Sequence, residues 1–253
     1  MKVTLIDVMG NDLRVVNAAR VSFLKESEHV DGEPCSDEDS NAWKDMTGET
    51  LYEQVLSEPD QKLINYLAKH NHWTPFSHIQ ITLRERVPIF VARQRFKHMV
   101  GFTYNEVSRR YVDDVPDFYV PQEWRGRPVN AKQGSSEEVI EPPVFTWGHD
   151  KYGYNEVLDL CQEWYEQAIK KGIAPEQARM VLPQSMFTEY YTTGSLAAWA
   201  RAYRLRSDSH SQKEIQDLAR MWQEVIGGIK ELEYSWKALT TWGKHAKSTT
   251  PEG

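Results

Sequence analysis

Cysteine is nearly missing from this 253-residue chain: only Cys35 and Cys161 occur, too few for a disulfide framework. Long apolar runs are missing too, and none approaches the roughly 20 residues that cross a bilayer, so no membrane association is expected. Neither Gly-x-Gly-x-x-Gly nor Gly-x-x-x-x-Gly-Lys occurs, which argues against a Rossmann or P-loop site. A bound dinucleotide would have its pyrophosphate held by arginines, histidines and helix N-termini instead. Excess positive charge is also lacking, since 30 Lys and Arg stand against 37 Asp and Glu for a formal charge of -7. Without an extended cationic track, bulk nucleic-acid binding is disfavoured. The N-terminus turns polar too early for a secretory signal, so a reducing cytoplasm, bacterial or of a host cell, is expected. What is present is a hydrophobic fraction of 40% with 11% aromatics, which excludes a disordered chain. A single domain over residues 1–253 is expected, with insertions near 26–58 and 125–143, where Gly, Pro, Ser and acidic residues replace large apolar ones.

Periodicity predicts a strand over 2–8, a helix over 13–21, an acidic and partly mobile surface segment over 26–50, and a helix over 60–69. A half-buried strand follows over 79–83, and Pro88 begins a helix expected to run to about Met99. Residues 118–120 read as a short strand. Helices are expected over 157–170, closed by Gly172, and over 175–182, 196–205 and 212–226, the last with a Ser211/Glu214 capping box.

Against the acidic background, Arg93, Arg95, Lys97, Arg109 and Arg110 crowd with His98 into nineteen residues, 93–111. Arg201, Arg204, Arg206 and the isolated Arg179 are available to converge on the same place. Guanidinium forks donate in parallel pairs, which suits phosphate, whereas solvated or carboxylate-paired arginines are the plainer alternative. Asn105-Glu-Val-Ser-Arg-Arg-Tyr111 gathers donors and acceptors for a polar heterocycle beside cations for a phosphate, the inventory a nucleoside monophosphate requires. His70, His72 and His78 lack a recognised ligand spacing, so no metal is expected. Cys35 sits among acidic neighbours that disfavour a thiolate, and Cys161 shares a helical face with Val157, Trp164 and Ala168, so thiol catalysis is not expected.

Four blocks resemble the flavin-dependent thymidylate synthase family: Ala19-Arg-Val-Ser22; His72-Trp-Thr-Pro-Phe-Ser-His78 leading into Pro88-Ile-Phe-Val-Ala-Arg-Gln94; Asn105 to Tyr111; and Ala178-Arg-Met-Val-Leu-Pro183 with Leu205-Arg-Ser-Asp-Ser-His210. The resemblance implies an α+β fold, an antiparallel sheet with flanking helices, and a homotetramer with sites at subunit interfaces. It also implies FAD as hydride carrier, with dUMP, methylenetetrahydrofolate and NADPH giving dTMP, tetrahydrofolate and NADP+. By the same resemblance Gln94, Glu106, Ser108, Arg109, Arg110, Arg179 and Arg206 fall on dUMP-binding positions. Arg206 and Ser108 are the catalytic candidates, Ser108 as an orienting group because an unactivated hydroxyl attacks weakly. FAD-contacting positions fall on Ser22, His72, Thr74, Lys97, His98, Met99, Glu106, Ser195, Arg201, Leu205 and His210.

The chain departs from the family where Lys97-His98-Met99 replaces Arg-His-Arg and eight residues, not seven, precede Ser108. Lost phosphate contacts would then come from Arg93, Arg95 or Arg109. Two alternatives follow: a flavin- and folate-dependent dUMP hydroxymethylase, or a nucleotide-binding homologue without catalysis.

Overall fold

In the computed structural model, which describes residues 1–129 and 134–242, the chain opens with β1 (Lys2–Met9), α1 (Asp12–Arg20), β2 (Val30–Pro34), α2 (Glu38–Thr47), β3 (Tyr52–Val55) and α3 (Glu58–Lys69). Then come β4 (Gln80–Pro88), α4 (Ile89–Arg95) and β5 (Phe102–Glu106), followed by two small hairpins. These pair β6 (Trp124–Arg125) with β7 (Val139–Ile140) and β8 (Phe145–Trp147) with β9 (Asp150–Tyr152). The remainder is α5 (Tyr154–Lys170), α6 (Pro175–Ala178), β10 (Phe187–Ser195), α7 (Leu196–Arg206), α8 (Lys213–Gly227) and α9 (Glu233–Trp242). Residues 130–133 of the expected second insertion lie outside the described residues. No helix among the described residues is long and apolar enough to cross a membrane.

Two compact units result. The first takes in 1–7, 81–194 and 202–225, and the second 8–80, 195–201 and the described part of 226–253.

In the first unit the sheet order is β1-β4-β10-β5, with β10 antiparallel to β5 and Gly194 opposite Phe102. Strand β4 alternates, burying Ile81, Leu83, Glu85 and Val87 while Arg84 and Arg86 remain accessible. Helix α8 carries a buried stripe of Ile215, Leu218, Ala219 and Trp222 at helical spacing. Burial of Ile215 and of Leu218 contributes about 1.5–3 kcal/mol each. Helix α5 ends as its sequence suggests: Gly172 takes φ +81°, and the N–H groups of Gly172 and Ile173 return to the carbonyls of Ile169 and Ala168.

Two sequence expectations are corrected here. Helix α4 stops at Arg95 rather than near Met99, because the N–H groups of Lys97 and His98 turn to the carbonyls three residues back, Gln94 O at 3.3 Å and Arg95 O at 3.1 Å. Gln94 O also accepts from Arg206 Nη2 at 3.2 Å, and past the helix His98 O accepts from the Tyr104 hydroxyl at 2.6 Å. The Ser211/Glu214 pair is engaged elsewhere, Ser211 Oγ donating to Leu205 O at 2.9 Å and Glu214 accepting from Arg125 at 2.5 Å.

In the second unit Asn11 caps α1 by accepting from Arg14 N at 3.0 Å, and Arg20 at the helix end pairs with the nearly buried Asp60 of α3. Asn71 adopts the left-handed conformation after α3 (φ 56°), so the N–H groups of Asn71 and His72 close on Ala68 O and Leu67 O. That closure fixes where His72 leaves the helix. The acidic segment over 26–50 is not structureless, since β2 and β3 pair as an antiparallel hairpin and Asp37 caps α2.

Asp12 accepts from the N–H groups of Tyr234 and Ser235 at 2.8 and 3.0 Å, closing the start of α9. Burial lifts its carboxyl from 3.8 to about 6 despite these donors. The folded state therefore holds this proton more tightly than the unfolded chain. The resulting stability is fully present below the unfolded value and is lost as pH rises through about 6. Its size is about 3 kcal/mol, from 1.36 kcal/mol per pH unit. Urea unfolding between pH 4 and 7 is expected to show the wild type losing stability relative to Asp12→Asn across that window. A pH-independent difference would contradict the assignment.

Candidate functional site

Beyond β5 the chain turns through residues 107–111, with Val107 N bonded to Glu189 O and Tyr111 N to Ser108 O. This turn walls one side of a cleft of about 1100 Å³ within the first unit. Strands β4 and β10 supply a second wall, and α6 with the 3-10 turn Arg179–Val181 a third. Arg84, Arg86, Arg109, Arg110 and Arg179 reach it, as do the carboxylates of Glu106, Asp114, Asp117, Glu176 and Glu189. Charge count alone therefore defines no anion site. The pairing does.

Arg84 pairs with Glu189, Arg86 with Asp117 and Arg109 with Asp114. Arg110 donates to Ser108 Oγ from its backbone N at 3.4 Å and its Nε at 3.3 Å, and Arg179 Nε donates to Glu176 O at 3.3 Å. Neither Arg110 nor Arg179 has a carboxylate partner among the described residues. Two exposed guanidiniums thus face one cleft with their charge uncompensated, beside a serine hydroxyl whose oxygen already accepts twice and whose proton remains to be donated. Glu106 also lines the cleft and accepts from Thr188 Oγ1 at 2.6 Å.

Gln94 and Arg206 do not line this cleft. They lie together elsewhere in the first unit, where Arg206 Nε donates to His98 Nε2 at 2.8 Å and Arg206 Nη2 to Gln94 O at 3.2 Å. His98 is buried between the exposed Lys97 and Met99. Burial, together with the nearby Arg95 charge, pulls the Arg206 guanidinium down from its ordinary value.

Of the three arginines expected to replace lost phosphate contacts, Arg95 is fully buried on Glu85 at 3.3 Å, and Arg109 is engaged by Asp114 at 2.9 Å. The exposed Arg93 is left.

The remaining cofactor candidates are dispersed. Ser22, His72 and Thr74 are exposed on the second unit, and Arg201 belongs to it as well. Ser195 is buried and its Oγ accepts from Ala198 N at 3.3 Å, capping α7. Leu205 and His210 are exposed on the first unit, His210 Nδ1 lying 2.9 Å from Asp208. Cys161 is half-buried, and burial pushes its thiol up, away from nucleophilic use.

Sequence reading missed Arg84, Arg86, Thr188 and Glu189 on the cleft and the Glu85–Arg95 pair behind it. The usable signal was Glu85 itself, a carboxylate at an inward position between Leu83 and Val87, where burial demands a cation.

The family model described as thymidylate synthase complementing protein matches residues 4–227. The flavin-dependent thymidylate synthases of Thermotoga neapolitana and Thermosipho africanus are 35% and 34% identical over 217 and 222 residues, covering 86% and 85% of this chain and 81% of each relative. That of Treponema denticola is 30% identical over 258 residues, covering 97% of this chain and 80% of its own. Among solved structures, the UMP/dUMP methylase PolB from Streptomyces cacaoi, bound with 5-Br dUMP, is 27% identical with a TM-score of 0.69 over 96% of each chain. The antiparallel β10–β5 pairing and flanking helices carry the expected α+β class. With a family match spanning almost the whole sequence and relatives above 30% identity across most of it, the chain belongs to the thymidylate synthase complementing protein family.

Proposed function

We propose that this protein is a flavin-dependent thymidylate synthase that converts dUMP to dTMP, taking the one-carbon unit from methylenetetrahydrofolate and reducing equivalents from NADPH. The observation that carries the reading is the pair Arg110 and Arg179, uncompensated guanidiniums on one cleft beside Ser108. There the two arginines hold the nucleotide phosphate and Ser108 Oγ donates to it, fixing the nucleotide by charge-assisted hydrogen bonds. The serine has no nucleophilic part, since the groups hydrogen-bonded to its oxygen are donors and none is a base.

FAD, when bound, supplies the hydride. The exposed Ser22, His72, Thr74, Lys97 and His210 are the hydroxyl, imidazole and ammonium donors that suit its ribityl and pyrophosphate groups, with Arg93 as the added cation. Met99 offers no donor, so the flavin contact at that position is weaker than an arginine would give. Arg206 stabilises negative charge that develops on the uracil ring, and Gln94 orients that ring.

Because Gln94 and Arg206 lie off the phosphate cleft of their own chain, a homotetramer that sets one copy's cleft beside another's Arg206 completes the site. The protein acts in the cytoplasm on this reading.

Three measurements test it together. Purified protein is expected to show flavin absorbance, oxidise NADPH only when dUMP is added, and yield a product heavier than dUMP by one CH2. A product heavier by CH2O would identify the hydroxymethylase instead, and colourless protein without NADPH oxidation the non-catalytic homologue. Light scattering that found only monomer would remove the tetramer.

A further inference from the structure

Arg206 ends α7 on a long side chain whose many rotamers must be restrained if it is to meet a developing charge. Two contacts restrain it, His98 Nε2 at 2.8 Å and Gln94 O at 3.2 Å, and its Nη1 edge has no hydrogen-bond partner among the described residues. Gln94 lies in the last turn of α4 and His98 in the turn that follows it. An arginine only donates, so His98 Nε2 must accept and the ring proton resides on Nδ1.

That turn is itself tied to the interior. The Tyr104 hydroxyl donates to His98 O at 2.6 Å and accepts from Arg95 Nη1 at 2.6 Å. Burial holds this phenol up at about 12, so it remains an O–H donor at neutral pH. Arg95 Nε donates to Glu85 Oε2 at 3.3 Å, and Trp222 Nε1 donates to Glu85 Oε1 at 2.7 Å. The Arg95 guanidinium lies over the rings of Phe102 and Trp222 at 4.3 and 4.8 Å. Phe102 in turn lies across Gly194, where a Cβ would stand 2.3 Å from the ring. Every member belongs to the first unit, and the chain of contacts runs from fully buried groups to Arg206.

We propose that Tyr104 and Arg95 are positioning residues for Arg206, acting through the His98 carbonyl to hold the histidine ring that orients the guanidinium. The assignment rests on the dTMP-forming role of Arg206 proposed above. An ion pair of zero exposure is an expensive way to fill a core, because similar volumes of apolar side chain serve stability at least as well. Its geometry has a use: five donors in a fixed fork let Arg95 hold Glu85 and Tyr104 at once, which a lysine ammonium cannot do across the same span.

The experiment uses the FAD-loaded full chain with Tyr104→Phe, Arg95→Lys and the double variant. Tyr104→Phe keeps the ring and deletes the link, while Arg95→Lys keeps the charge on Glu85 and loses the second arm. Each single change is expected to lower kcat about tenfold with the KM for dUMP within about twofold, and the double change to cost no more than either alone. In nitrogen-15 spectra of the imidazole, His98 of the wild type is expected to show an unprotonated Nε2, and Tyr104→Phe a mixture of tautomers. Unchanged kcat with an unchanged tautomer, or losses that multiply in the double variant, would overturn the proposal. If Arg95→Lys does not fold, Tyr104→Phe and its spectrum decide alone. A wild type that never converts dUMP would instead defeat the functional reading, and the tautomer of His98 would still decide whether the link exists.

Discussion

Turnover of dUMP is expected to fall by about 10²–10³-fold in Arg206→Ala, with the flavin absorbance of the purified protein retained. A guanidinium that is partly withdrawn from water and fixed at two points stabilises developing charge without the reorganisation that solvent would need. Alanine removes that donor and also leaves His98 Nε2 and Gln94 O without it, so the loss should fall mainly on kcat. Arg179→Ala is the informative contrast. That side chain is exposed on the phosphate cleft, and its removal is expected to weaken dUMP binding by about 10–100-fold, the worth of a charged hydrogen bond of about 1.5–3 kcal/mol. Steady-state kinetics paired with calorimetric dUMP titration separates the two. Equal effects of both substitutions on affinity would mean that Arg206 binds ground state and transition state alike and has no special catalytic part.

Local order in this fold is well written in the sequence wherever neighbours decide it. Gly172 marks a helix end by chemistry that acts within a few residues, and β1, α3 and α5 stand close to where periodicity puts them. Ser108, Arg110 and Arg179 meet on one cleft, which the sequence offers only as one of two readings of its basic residues, because spacing in the chain says nothing of folding distance. Strand β10 escaped notice although Thr and Tyr suit a pleated surface, since its buried positions Thr188, Tyr190 and Thr192 are polar and mask the alternation. The tight turn that ends α4 was beyond local reading for another reason: the side chains that hold it, Tyr104 on His98 O and Arg206 on Gln94 O, come from a following strand and a helix a hundred residues away. Arg95 shows the same limit most sharply. In sequence it belongs to a basic run that asks for phosphate, and in the fold it is the interior partner of Glu85.

Loss of that partner is expected to be the most destabilising single change in the first unit. Glu85→Ala would strand the Arg95 guanidinium in a site of zero exposure and deprive Trp222 Nε1 of its acceptor. Breaking a buried ion pair from one side costs about 3–5 kcal/mol, a large share of the 5–15 kcal/mol that typically separates folded from unfolded domains. At about 2–4 °C per kcal/mol for a chain of this size, the unfolding midpoint should drop by roughly 6–20 °C. The cost arises from an uncompensated charge rather than from lost volume, so Glu85→Leu combined with Arg95→Met should recover most of it by making the site apolar. Calorimetric scans of the wild type, the single and the double variant test this directly. A double variant no more stable than Glu85→Ala would show that packing, not charge, sets the penalty. The same double variant removes the donor to Tyr104, so its turnover should remain about tenfold low even with stability restored. Stability and activity would then part at a site whose ion pair the fold itself does not need.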